Sequence, residues 1–178
     1  GLSGPKHITA GAGATFTAPV YVSESAAASG STSARVLGVN GSTLSVVANV
    51  TGTSQPSGIA ISTGGTFGSN LYLGLRSPSG ATGEILQVTS TGSSSTFVAP
   101  ALGTGAADLA FPPAGSAIWS TQLYAAEPTA GRVQRFDSSG ASQGIQTGMT
   151  TPRYLAFGPT GTTLAQYLFV SDSAGVIW

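Results

Sequence analysis

Charge is scarce in this sequence of 178 residues, because only 7% of the side chains are charged, against roughly 25% in an ordinary soluble domain. The six basic and six acidic side chains leave a net charge of zero. A broad basic surface that follows phosphates is therefore excluded, and we expect no nucleic-acid partner. No apolar run approaches the ~18 residues of a membrane-spanning segment, so we expect no membrane span.

Cysteine is absent, which excludes disulfides, cysteine-ligated zinc, iron–sulfur clusters, covalently attached haem and a thiol nucleophile. Few charges combined with abundant Gly, Ser, Thr and Ala are common in exported microbial proteins. We therefore expect an extracytoplasmic location: secreted, on the cell surface or periplasmic. Two sequons, Asn40-Gly41-Ser42 and Asn49-Val50-Thr51, agree with export, although such tripeptides also arise by chance in chains rich in Ser and Thr.

An internal repeat organises what the sequence does contain. Four similar apolar segments begin at positions 20, 71, 123 and 168, so successive units are 51, 52 and 45 residues long. This spacing is close to the ~40–50 residues of a four-stranded propeller blade. The segments are Val20–Glu24, Leu71–Leu75, Leu123–Glu127 and Leu168–Asp172.

Each unit has a short apolar run before this segment and alternating runs after it, separated by Gly, Ser, Asn and Asp turns. We therefore predict four antiparallel strands per unit, in units 5–50, 51–102, 103–149 and 150–178, the last incomplete. Such a sheet cannot bury both of its faces alone, and radial stacking buries them against neighbouring sheets. The prediction is an all-β propeller, with about three and a half blades in a single domain.

The third unit resembles the NHL repeat. Its segment Leu123–Gly140 has an apolar strand with Tyr, then Glu127, a tight turn, Arg132-Val133 and Phe136-Asp137-Ser138-Ser139-Gly140. The resemblance implies a propeller of about six blades, related to the gluconolactonase-like propellers. Because three and a half blades do not close a ring, we expect this chain to be a fragment, completed by more chain or by another copy.

Acidic residues recur at the end of the second strand: Glu24, Glu127 and Asp172. One interpretation is a ring of carboxylates that binds a metal. The other is a contact inside each blade, in which the carboxylate holds the following turn and pairs with Arg35 or Arg132. Repetition in several blades favours the structural interpretation, since a unique site needs residues that differ between blades.

The start of the innermost strand does differ between blades, and these ends open at one mouth of the central channel. The candidate ligand-binding residues there are Lys6, His7, Asp108, Arg153 and Tyr154. The alternative is a polar channel lining that contacts only water. The gluconolactonase-like resemblance implies carboxylate and amide metal ligands in this region. Only Asp108 and His7 fit, too few for a metal site in this segment alone.

Two tryptophans complete the candidates. Trp119 lies outside the repeat, so it is a candidate for a partner contact or for a cap over the blade edge. Trp178 continues Val176-Ile177 and is predicted to be core.

These features predict a non-enzymatic, extracytoplasmic binding or scaffold module that contacts protein partners in a larger protein or assembly, without a cofactor. No Gly-x-Ser-x-Gly stretch follows a strand and opens a helix, as a nucleophile elbow does, and no catalytic residue is assigned. One alternative is a metal-dependent lactonase or esterase with a divalent cation such as calcium in the channel. Another is a carbohydrate- or surface-adhesion module.

Overall fold

The fold is described from a computed structural model of the chain. It covers residues 2, 4–11, 15–26, 33–50, 54–62, 64–76, 83–99, 102, 105–114, 116, 119 and 121–178. This part of the chain is all-β apart from two single-turn 3-10 helices, Gly65–Phe67 and Thr163–Gln166. Among the residues described, no helix has the length and apolar character needed to cross a bilayer.

Three antiparallel four-stranded sheets form the first three blades, and the strands of each sheet follow one another in sequence order. The first blade comprises β1 (Pro5–Ala10), β2 (Val20–Ala26), β3 (Ser33–Asn40) and β4 (Thr43–Val50). The second comprises β5 (Gln55–Ile61), β6 (Leu71–Arg76), β7 (Glu84–Val88) and β8 (Ser94–Val98). The third comprises β9 (Asp108–Ala110), β10 (Leu123–Glu127), β11 (Arg132–Phe136) and β12 (Ser142–Thr147).

The fourth blade has two regular strands, β13 (Pro152–Phe157) and β14 (Leu168–Asp172). The predicted third strand, Val176–Trp178, pairs with β14 through an isolated bridge between Ser171 and Ile177. Backbone hydrogen bonds of 3.0 and 3.1 Å between Val170 and Trp178 extend this pairing. The prediction of four-stranded antiparallel blades, three of them complete, is confirmed.

The turns form where the sequence provides residues that favour them. Gly41 has φ of +57° between β3 and β4, a left-handed conformation that suits glycine in a tight hairpin. In the third blade, the Asp137 carboxylate accepts hydrogen bonds from the backbone N–H groups of Ser139 and Ala141 at 2.9 and 3.1 Å. The Ser139 hydroxyl, together with these backbone donors, holds the pKa of Asp137 below its usual value. The aspartate of the Phe-Asp-x-x-Gly motif thus stabilises its own turn through hydrogen bonds to the backbone.

Alternating side chains on each central strand face different neighbouring blades, as the two-residue period of a strand requires. Leu71 and Leu73 lie in the apolar cluster between blades one and two, whereas Tyr72 lies in the cluster between blades two and three. Tyr124 is likewise in the cluster between blades three and four. The three tyrosines that recur in phase, Tyr21, Tyr72 and Tyr124, are all buried. The core is therefore three layers that alternate with the blades.

The prediction that Trp178 is core is wrong, because its side chain is 55% exposed. Trp178 lies on the outer side of β14, where none of the described strands covers it. Ile177 beside it is 72% exposed. An apolar sequence run predicts strand conformation here, but not the presence of a neighbour that buries it.

The backbones of β5 and β9 approach closely at Gly58. A Cβ atom added there would lie 2.6 Å from the Leu109 nitrogen and 2.7 Å from the Cα of Asp108. Both distances are far below van der Waals contact, so glycine at this position allows the inner strands of two neighbouring blades to meet.

We expect Gly58→Ala to lower the free energy of unfolding by about 1–3 kcal/mol, because the added methyl group pushes two backbones apart. Chemical denaturation measures the change. The control is Gly4→Ala, where an added Cβ would lie an ordinary 3.5 Å from its nearest neighbour, the Ser25 carbonyl oxygen. Equal stability of the two variants would contradict the close approach of these blades.

Candidate binding site at the channel mouth

Glutamates at the end of the second strand pair with arginines at the start of the third. The strand register sets Glu24 opposite Arg35 and Glu127 opposite Arg132. Arg35 Nε donates to Glu24, and Arg132 Nη2 donates to the Glu127 carboxylate at 2.8 Å. Both glutamates are almost fully buried. Burial raises the pKa of Glu127, and the Arg132 guanidinium opposes that rise.

Asp172 occupies the same position in the fourth blade and binds backbone instead of arginine. Its carboxylate accepts hydrogen bonds from the N–H groups of Thr150 at 2.6 Å, Thr151 at 3.0 Å and Ala174 at 3.1 Å. Burial acts to raise the pKa of Asp172, but these donors outweigh it and hold the pKa below its usual value. In the second blade the position is taken by the buried Leu75. These carboxylates are thus engaged in holding the ends of their own blades.

The inner strands β1, β5, β9 and β13 contact one another in that order around the channel. Three of them carry a proline at or beside their first residue: Pro5, Pro56 and Pro152. The pairing register shifts directly after each of these prolines. Such irregularities redirect the side chains that follow them, which include the predicted mouth residues.

Side chains from three blades meet at this end of the channel. His7 Nδ1 of β1 lies 3.5 Å from Asp108 Oδ1 of β9. The His7 ring also stacks on Tyr154 of β13, with ring centroids 5.8 Å apart and planes inclined by 29°. Both ring nitrogens of His7 are buried, and neither has a hydrogen-bond partner within the described part of the chain. The structure therefore brings together residues separated by more than a hundred positions in the sequence.

Asp108 links the third blade to the fourth. Its Oδ2 accepts a hydrogen bond of 2.8 Å from the N–H of Leu155 in β13, and its Oδ1 accepts one of 2.8 Å from the N–H of Leu109. Burial raises the pKa of Asp108, while His7 and the two backbone donors act in the opposite direction. This carboxylate is a structural bond between blades as well as a neighbour of His7.

A depression of about 520 Å³ opens above these residues, at the mouth of the channel. Lys6, His7, Arg153 and Tyr154 line it, four of the five predicted mouth residues. Asp108 lies deeper, in a second hollow formed by the inner strands. Within the described residues, no group of three or more His, Asp or Glu side chains could hold a metal ion.

Arg76 also lines the depression, and sequence reasoning missed it. Arg76 ends β6 and is paired with Gln55 at the start of β5, so it reaches the same mouth from the second strand. The signal was present in the repeat, because an antiparallel hairpin places the end of its second strand beside the start of its first.

Trp119 lies at the apolar cluster between the third and fourth blades, partly buried. Its ring packs edge-on against the rings of Tyr124 and Phe157, with centroids 5.8 and 5.3 Å apart. A partner contact at Trp119 stays a prediction.

We expect the stability advantage of the wild type over Asp172→Asn to be greatest above pH 3.8, the usual pKa of this group. A lowered pKa in the folded state stabilises the fold when the carboxylate is ionised, and this contribution disappears as the pH falls through the folded pKa. Melting temperatures measured from about pH 2.5 to about pH 7 test the trend. The uncharged change Ser173→Ala should give a difference that does not vary with pH. If the difference in melting temperature between the wild type and Asp172→Asn increased as the pH falls, the assigned hydrogen bonds would be contradicted.

No protein-family model matches the sequence, and no curated protein matches it. Solved structures share its fold. A protein of unknown function from Bacteroides caccae is 12% identical with a TM-score of 0.59, over 97% of this chain and 58% of that one. Virginiamycin B lyase from Staphylococcus aureus is 12% identical with a TM-score of 0.61, over 98% of this chain and 54% of the lyase.

The chain therefore spans little more than half the length of these two structures. At such low identity the likeness concerns the fold alone, and membership of the NHL-repeat family stays a prediction. Together with the sheets described above, the comparisons establish that this chain has a β-propeller fold.

Proposed function

We propose that this propeller is a non-enzymatic binding and scaffold module that contacts protein partners in a larger protein or assembly. The observation that supports this proposal is the depression of about 520 Å³ at the channel mouth, lined from all four blades. Its volume falls within the ~300–1,000 Å³ of ordinary ligand sites. The exposed ring of Tyr154 at its edge offers a large apolar contact surface of the kind that partners use.

The proposed location is extracytoplasmic. The sparse charge of the sequence supports it. Asn40 and Asn49, the acceptor residues of the two sequons, are both exposed and so accessible to modification.

A second candidate, a metal-dependent lactonase or esterase, is favoured by one observation. The half-buried His7 ring lies beside Asp108, and its two nitrogens have no hydrogen-bond partner among the described residues, an arrangement that can support acid–base chemistry. Against it, both carboxylate oxygens of Asp108 already accept backbone hydrogen bonds. Ser57 also lines the depression. Its hydroxyl lies against β6, because a Cβ atom added at Gly74 would be 3.0 Å from Ser57 Oγ.

Site-specific photo-cross-linking in the producing cells tests the binding proposal. A photoreactive amino acid at Tyr154 should capture a discrete partner protein outside the cytoplasm. The matched control is Tyr167, which is also exposed but precedes β14 at the opposite end of the blade. The captured protein, once identified and purified, should bind the propeller directly in solution.

Equal capture from Tyr154 and Tyr167 would overturn the assignment of the binding face. Hydrolysis of lactones or esters that requires calcium and disappears in Asp108→Asn, with the melting temperature retained, would replace the proposal with the hydrolase.

A further inference from the structure

We infer that the channel mouth recognises an acidic peptide segment of the partner through Lys6, Arg76 and Arg153. This inference rests on the proposed binding function and adds the chemistry of the recognised segment. It is carried by the way the charges of the chain are distributed between the blades and the mouth.

Half of the six basic side chains are engaged elsewhere. Arg35 and Arg132 pair with buried glutamates inside their own blades. Arg135 donates to the carbonyl oxygen of Gln143 on the neighbouring strand, at 3.0 Å. None of these three residues lines the channel mouth.

The other three basic side chains, Lys6, Arg76 and Arg153, converge on the one depression. All three are exposed, and none takes part in an ion pair with another described residue. They come from different blades and meet because the inner strands begin, and the second strands end, at the same mouth. The residue before Arg76 is the buried Leu75, where two other blades have a glutamate.

Among the residues that the structure describes, no acidic side chain lines the depression. At this end of the blades Glu24, Glu127, Asp108 and Asp172 are buried, and the half-buried Glu84, which lies opposite Leu75 in the strand register, does not line the depression. Glu24 and Glu127 are neutralised by arginine. The two aspartates are surrounded by backbone N–H donors. The charge that solvent and a ligand meet at the mouth is consequently positive, and a concave site concentrates that field.

The chemistry of these cations selects carboxylates on a peptide. A guanidinium presents a planar fork of donors that matches a carboxylate in a bidentate geometry, and the lysine adds a point charge. Three cations around one mouth can engage successive acidic side chains of an extended segment. They form no long basic track of the kind that a nucleic-acid backbone requires.

The test uses a fluorescently labelled peptide of six glutamates, with fluorescence anisotropy as the readout. The wild-type protein should bind it with a Kd below about 1 mM at low ionic strength. Removing one cation in Arg76→Gln or Arg153→Gln should weaken binding about twofold to fivefold, the range for exposed ion pairs. The double variant Arg76→Gln/Arg153→Gln should bind about tenfold more weakly than the wild type if the two contacts act independently.

Arg135→Gln is the matched control, because it makes the same change of charge away from the mouth and should leave the Kd unchanged. A labelled peptide of six serines should not bind. Melting temperatures equal to that of the wild type should show that each variant is folded.

Failure of the glutamate peptide to bind, or equal loss in Arg135→Gln, would overturn the inference. Complete displacement by inorganic phosphate, with no displacement by sodium chloride of equal ionic strength, would also overturn it in favour of a small-oxyanion site. Capture of a partner from Tyr154 without any glutamate-peptide binding would leave the proposed function in place and remove only the acidic segment.

Discussion

Burial of apolar sheet faces between neighbouring blades is the constraint on which this structure depends. A central strand such as β6 sends Leu71 and Leu73 to one neighbouring blade and Tyr72 to the other. A blade cannot therefore bury all of its apolar side chains by itself. The stability of each blade depends on its neighbours, as in other repeat architectures. Close backbone contacts such as that at Gly58 are possible only because the blades are stacked in this way.

Regular and irregular positions of the repeat have different roles. Where Glu24 and Glu127 follow the pattern, they form buried pairs that hold the hairpin ends. The residues that line the channel mouth, such as His7, Arg76 and Tyr154, differ from blade to blade. Candidate function is thus concentrated at departures from the repeat, because a side chain that every blade needs for its own structure is not available to a ligand.

The strands and turns could be predicted from the sequence because they depend on local patterns: alternation, a period near 50 residues and Gly or Asn at tight turns. The phase of the repeat also identified four of the residues at the mouth, including His7 and Tyr154. The bond from Leu155 N–H to Asp108 could not be predicted, because it joins positions 47 residues apart and depends on the angle between two blades. The exposure of Trp178 was missed for a related reason, since burial is a property of neighbours and not of the strand itself.

The link between Asp108 and Leu155 also bears on how a chain of similar blades reaches the correct arrangement. Repeat proteins are prone to misassembly because one repeat can take the place of another during folding. Only one of the four inner strands carries an aspartate, Asp108. Its hydrogen bond therefore distinguishes the interface between the third and fourth blades from the other interfaces, which the apolar layers alone do not do. A blade docked in the wrong order would leave this buried carboxylate short of a donor, at an energetic penalty. One polar side chain thereby helps to specify the order in which the blades pack.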